Sequence, residues 1–153
     1  MVSRCIESIP RVPPAAAIGL FAVVVAVAGC SEEPFAYVQV SGQVTYEDGS
    51  VIPAPRVKVS FVSQAPPLDQ KTVPRPGVAE VDPATGKFQT VTSHTYGDGL
   101  VRGEHKVLVE ALSASNVRLP LVPPEYADVA KTPLRVDTKD SPFTIKVPKP
   151  QAK

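Results

Sequence analysis

Tyr37-Val38-Gln39-Val40-Ser41-Gly42-Gln43-Val44-Thr45-Tyr46 alternates in polarity with a period of two. Val38, Val40, Val44 and Tyr46 share one side, and Gln39, Ser41, Gln43 and Thr45 the other. A helix would scatter these residues around its surface, whereas a half-buried strand sorts them by face. Gly42, inside the run, marks a bulge or a place where another backbone comes close. Glu47-Asp48-Gly49-Ser50 then supplies a turn centred on Asp-Gly, and Pro53 and Pro55 make a stiff connector to the next strand.

The same pattern continues outward. Arg56 to Ser63 reads as a strand with Val57, Val59 and Phe61 inward, and Gln64 to Pro76 as a Pro-rich loop. Gly77 to Val81 is a short strand. It turns through Asp82-Pro83-Ala84-Thr85-Gly86 into a partner, Lys87 to Thr92, that carries Phe88 inward. Tyr96-Gly97-Asp98-Gly99 is a second turn, in which Asp98 reads as a turn-stabilising carboxylate. Glu104 to Leu112 is a strand with His105, Val107, Val109 and Ala111 on the core face. Ser113 to Lys131 is a long connection with one helical turn at Pro124 to Ala127. Leu134 to Val136 and Phe143 to Val147 are the last strands. About seven short strands separated by turn signals predict an all-β fold, a single immunoglobulin-like antiparallel β-sandwich. Its expected extent is 37–148, after a helical signal peptide (1–29) and a tether (30–36), with a tail at 149–153.

Composition agrees with strands and loops. There are 18 Pro and no Trp, and the net charge is +1. The Lys and Arg residues are dispersed, so no nucleic-acid footprint exists.

The N-terminus has the three parts of a secretory signal: Arg4 and Arg11, an uncharged apolar run from Ala15 to Ala28, and small residues ahead of Cys30. The run falls short of the roughly 20 apolar residues of a membrane span. Val27-Ala28-Gly29-Cys30 resembles the lipobox of bacterial lipoproteins. That resemblance implies acylation of the Cys30 thiol, cleavage before it, and a membrane-anchored location in the cell envelope. Cys5 would leave with the signal. The mature domain would then have neither a disulfide nor a Cys metal site.

A second resemblance covers Tyr37 to Val147. Val40-Ser41-Gly42-Gln43-Val44-Thr45-Tyr46, Asp48-Gly49, Pro53 and Val57-Lys58-Val59-Ser60-Phe61 resemble the opening of carboxypeptidase-regulatory-like, transthyretin-like domains. Asp82 to Phe88 resembles their Asp-x-x-Gly-x-Phe turn, lengthened by one residue. Gly97 to Val107 resembles their Gly-x-Tyr-x-Val strand start, with His105 in place of Tyr. Pro123-Pro124-Glu125-Tyr126-Ala127 and Thr132-Pro133-Leu134 are similar to a segment of small lipoproteins from planctomycete-type bacteria. These are turn motifs, so the resemblance implies a fold and a location rather than a reaction.

Candidate chemistry is sparse. His94 and His105 lack metal-ligand spacing, and no Gly-x-Ser-x-Gly elbow occurs. Asn116, the sole Asn, lies in a long loop and is a weak isopeptide partner. Tyr96 and Tyr126 fall in loops that could share one end of the sandwich, and with His94 they are the candidate ligand contacts. The expected function is a lipid-anchored envelope module with a structural or protein-interaction role, without catalysis, cofactor or metal. The alternative is a carbohydrate- or small-ligand-binding accessory lipoprotein.

Overall fold

The computed structural model describes residues 33–151. Nine strands form among them: β1 (Tyr37–Val38), β2 (Gly42–Tyr46), β3 (Arg56–Ser63), β4 (Gly77–Val81), β5 (Lys87–Phe88), β6 (Leu100–Val101), β7 (Glu104–Leu112), β8 (Arg135–Asp137) and β9 (Phe143–Val147). Short 3₁₀ turns occupy Pro124–Ala127 and Thr138–Asp140. No helix among the described residues is long and apolar enough to cross a membrane. The protein is all-β, with a four-stranded sheet β4-β3-β7-β8, a three-stranded sheet β5-β2-β9 and a two-stranded ribbon β1-β6.

Several features differ from the sequence reading. The expected first strand is two strands, because the chain changes partners within it. Tyr37–Val38 pairs with Leu100–Val101, whereas Gly42–Tyr46 pairs with β5 and β9. A backbone that feeds two sheets must bend between them, and Gln39 to Ser41 is that bend. This split, together with the unforeseen β6, turns the expected seven strands into nine. The fold is also not wholly antiparallel, since β2 and β9 run parallel from Gly42↔Phe143 to Tyr46↔Val147. Thr45, expected to face outward, is buried.

Gly42 behaves as its position in the sequence implied. A Cβ there would lie 2.7 Å from the Phe143 carbonyl oxygen and 2.8 Å from the Phe88 ring. Only a residue without a side chain allows that approach. Gly99, at φ 94°, is equally constrained, since a Cβ would meet the Val38 oxygen at 2.1 Å.

The alternating faces of the two larger sheets close on one core. Val59, Phe61, Val107 and Val109 of the four-stranded sheet are fully buried. They meet Val44, Phe88, Phe143, Ile145 and Val147 of the three-stranded sheet in the same cluster. The Phe61 ring bridges the layers, with centroids 5.8 Å from Phe88 and 5.9 Å from Phe143. Burying each such side chain contributes about 1.5–3 kcal/mol. The outer face of the four-stranded sheet carries charges instead. Glu110 pairs with Lys58 at 2.8 Å and with Arg118, and Arg56 pairs with Glu80.

The domain has two distinct ends. At the leading end β3 finishes and β4 and β7 begin, as the pairs Phe61↔Gly77 and Ser63↔His105 show. β1, β6 and the start of β2 lie there too, for Gly77 closes against Leu100, Ser93 and Val91. At the trailing end Arg56 pairs with Leu112 and Val57 with Val81. There β9 finishes, Glu47 N–H donates to Val147 (3.0 Å), and Lys149 reaches Asp48 at 2.5 Å.

Candidate functional site

A groove of about 880 Å³ lies beside β4, lined in part by Val78, Glu80, Phe88, Gln89, Thr90 and Tyr96. Its shape follows from the backbone. Val78 turns its N–H and C=O away from β3 and exchanges both with Thr92, at 2.8 and 2.9 Å. Asp82 does the same one turn on, donating to Lys87 at 2.8 Å and accepting from Gly86 at 2.7 Å. Between these clasps the chain from Phe88 to Val91 leaves β4, because Lys87–Phe88 pairs with β2 instead. Along an antiparallel strand the N–H and C=O groups turn alternately to either side, so Glu80 shares the outward orientation of Val78 and Asp82, and no backbone bond joins it to Gln89–Val91. The groove therefore offers one free backbone donor and acceptor, ringed by the side chains of Gln89 and Thr90 and by the exposed Tyr96 ring. An added β-strand needs a run of such pairs, and the clasps leave a single one.

The sequence-derived site residues do not converge. Tyr96 lines the groove at the leading end, where Gln39 Nε2 donates to the neighbouring Gly97 carbonyl at 3.3 Å. Tyr126 lies at the opposite end, packed against the core close enough to Glu47 to feel its charge. The expectation that both tyrosines share one end is corrected. The connection from β7 to β8 starts at the trailing end, and its 3₁₀ turn stays there. His94 faces the N-terminal approach, with Nε2 3.6 Å from Glu33, and does not line the groove. Cys30 and the adjoining Val27, Ala28 and Gly29 lie outside the described residues. The free edge at Glu80 was missed, because no local pattern shows where a following segment will leave a strand.

The remaining candidates are occupied structurally. The Asp98 carboxylate accepts from the N–H groups of Ser93 (2.8 Å), His94 (2.8 Å) and Thr95 (2.9 Å). Partial burial opposes its ionisation, but these three donors outweigh it and hold the carboxyl below its usual pKa. This is the turn-stabilising role read from the sequence. Asn116 accepts from Arg56, with no lysine in the contact. No group of three or more His, Cys, Asp or Glu among the described residues is placed to hold a metal.

His105 is buried, as its face predicted, with Nδ1 3.1 Å from the Gly103 carbonyl oxygen. It stands opposite Ser63 in the β3–β7 register, but Ser63 Oγ accepts from Ala65 N–H instead. Burial pushes the His105 pKa down, more than the Gly103 carbonyl and the Asp137 charge push it up. In the unfolded chain the ring takes its proton near pH 6.5. Below that pH the unfolded state binds more protons, so His105's contribution is complete above pH 6.5 and lost as pH falls. The expected slope is at most about 1.4 kcal/mol per pH unit. Urea midpoints measured from pH 7.5 to 5.5 should decline, and His105→Leu should flatten the decline. Parallel profiles for the two proteins would show that another group governs it.

No protein-family model, curated protein or solved structure matches this chain.

Proposed function

We propose that the chain is an envelope lipoprotein, acylated at Cys30, whose domain is a non-catalytic, transthyretin-like sandwich that engages another envelope protein. The observation that carries this reading is the position of Cys30. An apolar signal core ends at it, and β1 begins at Tyr37, so only a short tether would separate lipid from fold. The sandwich part is supported by the division of the main strands into facing sheets of four and three. The test is mass spectrometry of the mature N-terminus from cells fed an alkyne fatty acid. A first peptide that starts at a modified Cys30 supports the proposal. An unmodified peptide that starts elsewhere, or at Met1, rejects it.

The groove at Glu80 favours a second reading, an accessory module for carbohydrate. Sugar hydroxyls suit a free backbone donor and acceptor, and a Tyr ring suits the apolar face of a pyranose. Titration with soluble oligosaccharides, followed by NMR, should shift the amides of Glu80 and Gln89 to Tyr96. An unchanged spectrum across pentose, hexose and amino-sugar oligomers rules this reading out.

A further inference from the structure

Leu68, Val73 and Tyr96 are 60%, 54% and 87% exposed, and all three sit at the leading end. Leu68 and Val73 belong to the loop that leaves β3 at Gln64 and returns to β4 after Pro76. Pro66, Pro67, Pro74 and Pro76 stiffen its arms. Its tip is closed by the Leu68 N–H, which donates to Thr72 at 3.0 Å. Asp69 secures the tip by accepting from the N–H groups of Lys71 and Thr72, both at 2.7 Å, and from the Thr72 hydroxyl at 2.9 Å. Leu68 and Val73 flank this tip as fixed apolar prongs. Pro76, Ser93 and Tyr96 line the same groove, which puts the base of the loop beside the Tyr96–Gly99 turn.

The approach of the N-terminus determines what can cover this end. The Ala36 carbonyl accepts from Arg102 N–H at 3.0 Å, and Glu33 lies 3.6 Å from His94. The chain thus runs along the leading end as far back as Glu33. Only Ser31 and Glu32 separate Glu33 from Cys30, a fully extended reach of about 10 Å. A single helix with its side chains already measures about 10–12 Å across. No folded partner fits between an acylated Cys30 and the leading end.

We propose that the leading end rests directly on the lipid surface, with Leu68, Val73 and Tyr96 set into the headgroup boundary. The proposal rests on acylation of Cys30. Two aliphatic prongs and an aromatic ring with a polar tip match that boundary chemically. The charges at this end, Glu33, Asp69, Asp98, Glu104, Asp137 and Asp140 against Lys71, Arg75, Arg102 and Lys139, carry no positive excess. Apolar burial, not attraction to anionic lipid, therefore drives the contact, and salt should leave it unchanged.

The test uses the full-length acylated protein purified from its own membranes. It is reconstituted into phosphatidylcholine vesicles that contain nitroxide-bearing lipids. An environment-sensitive dye is placed at Leu68→Cys or, at the trailing end, at Val117→Cys. Val117 is 62% exposed, so both sites accept a label. Blue-shifted emission and lipid quenching at position 68, in low and high salt, with neither at 117, are expected. Equal responses from an acylated protein overturn the docking alone. Dye–dye quenching between copies without lipid quenching overturns it in favour of self-association. An intact mass without an acyl chain rejects the Cys30 reading, and this one with it.

Discussion

Replacing Cys30 by Ala is expected to move the protein almost completely from the membrane fraction to the soluble fraction and to abolish fatty-acid incorporation. The size of the effect follows from the chemistry of the anchor. Each buried methylene of an acyl chain contributes about 0.8 kcal/mol, so two chains hold a protein on the bilayer where one holds it marginally. An alanine side chain accepts no acyl group, and the full contribution is lost in one step. The prongs at Leu68 and Val73 are too few to replace it. Detergent phase partition and alkyne fatty-acid labelling of wild type and Cys30→Ala provide the measurement. A mutant that still incorporates fatty acid would mean that Cys30 is not the acylated residue, and an unlabelled mutant that stays in detergent would be held by the uncleaved apolar run from Ala15 to Ala28.

Phe61→Ala should produce the largest loss of stability of any single core truncation. Phe61 is fully buried and is the ring that touches both Phe88 and Phe143 across the layers. Truncating a buried Phe to Ala costs about 3–5 kcal/mol through lost transfer energy and the cavity left behind. The tilted ring pairs add about 0.5–1.5 kcal/mol each beyond area burial. Against a typical total of about 5–15 kcal/mol, the loss should lower the urea midpoint drastically or prevent folding. Phe61→Leu keeps most of the volume and should recover a large part of it. A Phe61→Ala domain within about 1 kcal/mol of wild type would mean that the layers collapse onto the gap.

The strands that carry the core were legible because each holds its alternation from end to end. Arg56–Ser63, Gly77–Val81, Glu104–Leu112 and Phe143–Val147 form with the bounds their polarity gave. Gly42 was legible as a close approach, although not which backbone approaches it. What local pattern cannot encode is the identity and direction of a neighbour. Nothing in Val44 or Ile145 indicates that β2 and β9 run parallel. The expected strand from Lys87 to Thr92 survives only as Lys87–Phe88 and an isolated bridge at Thr92, because its middle departs around the groove. The tyrosines failed for the same reason. Their loops are evident in the sequence, but which end each loop occupies depends on pairings far away along the chain.

The parallel pairing of β2 with β9 also has a mechanical meaning. The chain reaches β2 from the leading end and departs from β9 at the trailing end. A pull between an N-terminal anchor and a load on the far side would stretch these two strands past one another along their length. Bonds loaded in that shear geometry share the force across all five register pairs instead of opening one by one like a zipper. For a domain moored at one pole and burdened at the other, β2 and β9 together form a clamp.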